Sequence, residues 1–509
     1  MSQTQTPEQA REFYFPPRQT SRLLGRFGAV DLAMFAAAIV LLVVALNLLP
    51  AWGWLIALGI PALILLLLPL PRPAGGRPFT DYLGPAVGTV WDKLTGRNVY
   101  RGAVFAPDSL KYRMDLPADL AGYRMISVPA RDGVSRIGLM VNEAHPKHRT
   151  AAATMLTSGQ SLITADEASA AISLDGYEAV LESWCQRKSG IGRYQVMVRT
   201  APDVINQAAR HVYLRAPITS GPVWENTREL VTGPAASAVR QEIYVVIEFD
   251  LSALSKQIEQ VDKNWGDEAI GGAVRDLLLD IETSLNEERI KSDGWLRPGQ
   301  YAALIHTQFD PDSMPLYDML GAVHKDLDPR LAGPSATERS WKHYRHDSAL
   351  SQTIWVHEMP GRPVRTGWLR PVLGQTGVQR TVSLVAQPLD ALVAQRQVQR
   401  QSQTTGSDVE LRQQKGMFVS ARKRKEVHAA AEQDQALAGG DGFFRYQMFI
   451  TVTAATEAAL HKDVLSVQRR LTKAYCQSVV LYGEQDQAFF AGALPLARGL
   501  APLRGGGKF

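Results

Sequence analysis

Cysteine is almost absent from this chain: Cys185 and Cys476 are the only two in 509 residues. Two thiols make neither a disulfide framework nor a zinc cluster, which excludes small secreted scaffolds and zinc-ribbon classes and suits a reducing compartment. Charge of one sign is missing too. Lys and Arg total 55 against 50 Asp and Glu, and a net charge of +5 is too mild for composition alone to announce a nucleic-acid binder.

Catalytic signatures are also lacking. A P-loop needs G-x-x-x-x-G-K-[ST], whose stacked amides wrap phosphates while the lysine reaches them. The only Gly-Lys pair, Gly507-Lys508, is followed by Phe509 and preceded by no spaced glycine. Gly439-Gly440-Asp441-Gly442 joins a predicted helix to a predicted strand, the wrong order for anion capture at a helix N-terminus, and reads as a turn. His357-Glu358 runs into Met359-Pro360 rather than completing H-E-x-x-H, and no G-x-S-x-G elbow exists. His343, His346, Asp347 and His357 are the one grouping that suggests a metal. Without cysteine or patterned carboxylates they read as a surface loop. Cys185 beside Trp184, like Cys476, reads as a buried structural thiol. No catalytic residue, cofactor or metal is expected, and the chain reads as a non-enzyme.

What the chain does have is extreme hydrophobicity confined to residues 29–70. Leu32 to Leu49 holds one polar residue, Asn47, and Trp52 to Leu70 holds no charge. At ~1.5 Å per residue each run approaches the ~30 Å of a bilayer core. Both are too long for a signal-peptide core, and no A-x-A cleavage site lies between them. Arginines precede the first run (Arg26 the nearest) and basic residues from Arg72 onward follow the second. The positive-inside rule then predicts a transmembrane hairpin at the plasma membrane, multi-pass, with both termini cytoplasmic and Trp52 and Trp54 at the outer interface. Downstream, Tyr82, Leu83, Val87, Val90, Trp91 and Leu94 recur at helical spacing beside Asp92, Lys93 and Arg97. This suits either an interfacial helix on lipid or an amphipathic helix packed on the next domain.

The remainder alternates short apolar runs with turns. A hairpin is predicted over 123–128 and 137–141, a helix over 151–188, and strands over 194–199, 241–249 and 301–306. A second group follows: strand 379–386, a long polar helix from 388 to about 433, strand 445–452, helix 455–473 and a strand near 476–481. The expected fold class is α+β: a two-helix transmembrane hairpin followed by a cytoplasmic body with largely antiparallel sheets, the second group having its helices on one face of its sheet. The predicted divisions are a tail (1–26), the hairpin (27–70), a juxtamembrane linker (71–118), a first α+β domain (119–325), a connecting region (326–370), a second α+β domain (371–497) and a short tail (498–509).

Two features invite partners. Arg422-Lys423-Arg424-Lys425 lies in a stretch, 396–425, where basic residues alternate with Gln and Ser. It suits phosphate contact on DNA, or a solvated face meeting an acidic partner. Trp224 and Arg228 lie where a loop enters a helix, as an interaction site or simply beside an N-cap at Asn226 or Thr227.

The order of these segments resembles a known arrangement. The hairpin is similar to PrgI-like inner-membrane subunits of Gram-positive type IV secretion and conjugation machines. The body resembles the amino-terminal, non-ATPase domain of the CagE/TrbE/VirB-type secretion ATPase, through TVSLVAQPLDALVAQRQ (381–397), LAGGDGFFRYQMFITVTA (437–454) and AYCQSVVLYGEQDQAFFAGALPLARG (474–499). In that family the last phrase is followed by the nucleotide-binding motor, whereas this chain stops at Phe509, like the split form in high-GC Gram-positive conjugative elements. The resemblance implies a membrane-anchored structural component that docks a separate P-loop ATPase and other channel subunits, touches lipid, and assembles with copies of itself. No ATP-binding residue carries over. The alternative is a membrane-tethered DNA-binding protein acting through the 396–425 helix.

Overall fold

The computed structural model describes Phe15 and residues within 29–47, 60–63, 82–102, 120–157, 167–202, 212–232, 239–317, 328–399 and 441–500, apart from scattered positions inside those ranges and a few isolated ones between them. One antiparallel sheet organises nearly all of it. Its strands are β1 (Val99–Arg101), β2 (Tyr123–Pro129), β3 (Arg136–Asn142), β4 (Thr150–Thr157), β5 (Ile191–Pro202), β6 (Val239–Asp250), β7 (Ala336–Arg339), β8 (Tyr344–His346), β9 (Ala349–Glu358), β10 (Arg380–Leu389), β11 (Phe443–Ala454) and β12 (Gln477–Val480). They run in the order β1-β7-β8-β9-β11-β10-β5-β6-β4-β3-β2, with β12 beside β9. The strands of residues 119–325 and of 371–497 meet where β10 pairs with β5, Leu384 opposite Val196.

Alternation along the strands sends side chains to two covered faces. On one face Met140, Ala152, Met197 and Val246 pack beneath a helix, Pro298–Phe309, and beneath the segment Phe489–Ala497. On the other, Val141, Ala151, Ala153, Ile247 and Phe249 pack beneath helices 167–184, 255–261 and 267–287. Ile354, Val382, Ile450 and Val452 meet the helix Glu457–Lys473. In chain order the helices are α1 (Ala29–Asn47), α2 (Leu83–Thr95), α3 (Glu167–Trp184), α4 (Pro222–Thr232), α5 (Ser255–Val261), α6 (Asp267–Glu287), α7 (Pro298–Phe309), α8 (Arg370–Leu373), α9 (Glu457–Lys473) and α10 (Gln485–Gly492). Helices thus cover both faces rather than one. The cause is legible in β6, whose QEIYVVIEF is apolar on both sides and needs two lids.

Local chemistry explains most elements. Helix α9 starts at Thr456, whose side chain accepts from the Ala459 N–H, has Glu457 in its first turn and Arg470 and Lys473 in its last, and buries Leu460, Val464, Val467 and Leu471 at helical spacing. Two elements depart from expectation. Residues 301–306 belong to α7, not a strand: Pro298 presets the first turn and the Gln300 side chain accepts from the Arg297 N–H at 3.1 Å. The start of the predicted 151–188 helix is β4, because the buried run Ala151-Ala152-Ala153 is flanked by β3 and β6, and the small side chains let both helical layers approach.

The expected transmembrane hairpin does not stand. Among the described residues no helix is long and apolar enough to cross a membrane. The unbroken apolar stretch of α1 lies between Asp31 and Asn47, fifteen residues over 32–46. That is roughly 22 Å at ~1.5 Å per residue, short of a ~30 Å hydrocarbon core. Of the second predicted span only 60–63 are described, a single helical turn. The multi-pass plasma-membrane placement with both termini cytoplasmic rested on that hairpin and falls with it. Trp52, Trp54, Arg26 and Arg72, assigned to its interfaces, lie outside the described residues.

Candidate functional site

The predicted interaction residues divide in two. Arg422, Lys423, Arg424 and Lys425 lie outside the described residues. Trp224 and Arg228 lie on α4, within the excursion 203–238 that joins the adjacent strands β5 and β6. Gly221 at φ +93° reverses the chain and Pro222 presets the first helical turn. Asn226 and Thr227 are therefore helical rather than caps, and the Thr227 hydroxyl donates back to the Val223 carbonyl at 2.7 Å. Trp224 is held edge-on against Tyr213, ring centroids 5.2 Å apart. Val223 and Leu230 point outward, 80% and 74% exposed. Apolar side chains of the helix thus stand in water.

The most elaborate polar arrangement is buried, and it fastens the chain's last described segment to the sheet. Gln195 on β5 is fully buried. Its amide nitrogen donates to Ser383 Oγ at 3.0 Å and to the Leu494 carbonyl at 3.1 Å, and its oxygen accepts from the Ala497 N–H at 2.8 Å. Ser383 in turn donates to the Gly492 carbonyl at 2.8 Å. On β9, Thr353 donates its N–H to Gln485 Oε1 at 2.7 Å, while Gln485 Nε2 donates to the Leu481 carbonyl. A Cβ at Gly492 would sit 2.5 Å from Thr451 Oγ1, so only glycine lets α10 lie this close to the strands. Arg193 completes the fastening, donating to the Leu500 carbonyl and pairing with buried Glu248 at 2.6 Å. Burial pushes the Glu248 carboxyl upward, against the pull of Arg193.

His346 forms a histidine–hydroxyl pair, at 2.8 Å between Nε2 and Ser351 Oγ. Its Nδ1 faces the Phe309 carbonyl at 2.5 Å, which fixes the proton on Nδ1 and leaves Nε2 to accept from Ser351. The ring is wholly buried beside Phe309, Tyr344 and Phe489, the last at 4.8 Å, and burial depresses its pKa to about 4. A nucleophile needs substrate access, and this pair has none, so it holds β8 and β9 to α7. The suggested metal grouping dissolves for the same reason: both nitrogens of His346 are engaged, and among the described residues no cluster of His, Cys, Asp and Glu is placed to hold a metal.

Two clefts open on the surface of the described residues. One, about 410 Å³, is lined by Ser127, Ser135, Arg136, Arg297 and Gly299 at the start of α7. The other, about 470 Å³, brings Glu182, Asp390 and Asp441 near Cys185. That thiol donates to the Phe443 carbonyl, and burial pushes its pKa up to about 11; Cys476 is pushed to about 12. Neither is a nucleophile at neutral pH.

Sequence reasoning missed the Gln195 and Gln485 anchors, because a glutamine among β-strand hydrophobics looks like an ordinary outward position. The sequence matches no protein-family model, and comparison with curated proteins returns no match.

Proposed function

We propose that the chain is a non-catalytic structural component of a conjugative type IV secretion system, whose α+β body docks a separate P-loop ATPase and other channel subunits. The observation that carries this reading is α4, with Trp224 braced by Tyr213 and Val223 and Leu230 in water. Exposed apolar side chains on a braced element suit recognition by another protein. The resemblance carried by 381–397, 437–454 and 474–499 supplies the class of partner. Function then comes from positioning, with ATP turnover on the partner and assembly with further copies of this chain.

The test is affinity capture of the full chain from its own host, with mass spectrometry of what accompanies it. A P-loop ATPase in stoichiometric amount is expected, reduced at least ~10-fold by V223E/L230E with thermal unfolding unchanged. Return of the chain alone, even after cross-linking, overturns the docking reading. Salt-sensitive recovery of DNA, lost when Arg422 to Lys425 are neutralised, would favour the DNA-binding alternative.

A further inference from the structure

Helix α2 is amphipathic in the reverse sense. The side turned to the body is small or polar: Pro85, Ala86, Thr89 and Asp92 are half-buried. Asp92 reaches Arg339 at 3.4 Å, and Arg339 also holds Asp486 at 2.9 Å. Just before the helix, Tyr82 lies against Trp341, ring centroids 6.5 Å apart. On the far side Val87, Val90, Trp91 and Leu94 recur at i, i+3, i+4 and i+7 and are 69%, 58%, 60% and 78% exposed. At 3.6 residues per turn these four occupy an arc of roughly 100°. A helix serving only this fold would turn that stripe inward.

Exposed cations follow the stripe along the chain: Lys93 in the last turn, Arg97 just past the helix and Arg101 on β1. Lys93, Arg97 and Arg101 are exposed and have no ion-pair partner among the described residues. The one acidic residue of the helix, Asp92, is turned inward to Arg339. Gly96, at φ +68°, ends the helix and carries the chain on to Arg97.

We propose that α2 lies on an anionic lipid surface, with Val87, Val90, Trp91 and Leu94 at the headgroup–acyl boundary and Lys93, Arg97 and Arg101 among the lipid phosphates. An apolar stripe with a tryptophan, followed by exposed basic residues, is the chemistry of an interfacial helix. The contact is peripheral. It needs no helix that crosses the bilayer, and it does not depend on the ATPase-docking reading.

The experiment places an environment-sensitive fluorophore on L94C in the full chain, the native cysteines being buried, and titrates vesicles of phosphatidylcholine with and without phosphatidylglycerol. A blue shift confined to the anionic vesicles is expected. K93Q/R97Q/R101Q should weaken vesicle affinity roughly 100-fold, at about fivefold for each basic residue. V87E/V90E, at exposed positions that leave thermal unfolding unchanged, should abolish the blue shift. The proposal is overturned by equal response to both vesicle types, by binding that both variants leave intact, or by chain that sediments with vesicles while the label stays in water. It is equally overturned if V87E/V90E dissociates an oligomer in sedimentation velocity while lipid binding persists.

Discussion

The side-chain oxygen of Gln195 accepts a hydrogen bond at 2.8 Å from the backbone N–H of Ala497, 302 residues away along the chain. Through this contact, and the two that the same amide donates to Ser383 and Leu494, the middle of the sheet holds the segment that follows α10. The fold is closed by a side chain reading backbone groups.

Gln195→Leu keeps the volume and removes all three hydrogen bonds, leaving the Ala497 N–H buried without its partner and the Leu494 carbonyl with the Leu496 N–H alone. At about 1–3 kcal/mol for the stranded N–H, the variant should lose roughly 2 kcal/mol of stability. Urea unfolding followed by far-UV circular dichroism measures this. A change below about 1 kcal/mol would show that the C-terminal segment is held by apolar packing alone.

His346 predicts how stability depends on pH. Its folded pKa, depressed to about 4 by burial, lies below the ordinary value of 6.5. The folded state therefore binds fewer protons, and the stabilising difference is fully present above pH 6.5 and fades as pH falls from there toward 4. The loss attributable to this residue is roughly 3 kcal/mol. His346→Gln, which cannot ionise, should lose less stability than the wild type between pH 7 and 4. Parallel stability–pH curves for the two proteins would refute the assignment.

The two cysteines should be chemically silent while the protein is folded. With pKa values pushed to about 11 and about 12, each is a thiolate less than ~1% of the time at pH 8. Reaction with an aromatic disulfide reagent should release at most a trace of thiolate from native protein and two equivalents in urea. Rapid native labelling of Cys185 would mean that the cleft beside Glu182 opens.

Much of the architecture was legible in short windows. The hairpin β2–β3 announces itself through alternation on either side of Arg131-Asp132-Gly133, β6 through its unbroken apolar run, and α9 through a Thr cap and four hydrophobics at helical spacing. The apolar stripe of α2 is equally plain in the sequence. Where windows misled, a longer-range constraint had won. Alanines with helical propensity form β4 because neighbouring strands recruit them, and an apolar run at 301–306 is helical because Pro298 and Gln300 start α7 just before it. The greasy run from Leu32 read as a full membrane span, yet among the described residues no helix is long and apolar enough to cross a membrane.

By itself the sequence determined an α+β chain dominated by antiparallel strands, without P-loop, zincin or nucleophile-elbow motifs, with an outlying apolar N-terminal region and a basic stretch at 422–425. These are properties of composition, period and spacing, and each is written within a dozen or so residues. Only the tertiary structure decided that strands from both halves share one sheet, that helices cover both of its faces, and that Gln195, Gln485 and His346 are buried anchors rather than surface or ligand residues. It also decided which side of α2 meets the body. A polar letter reads the same whether its partner is water or a carbonyl 300 positions away, and that choice is made only when distant strands pair and exclude the solvent between them.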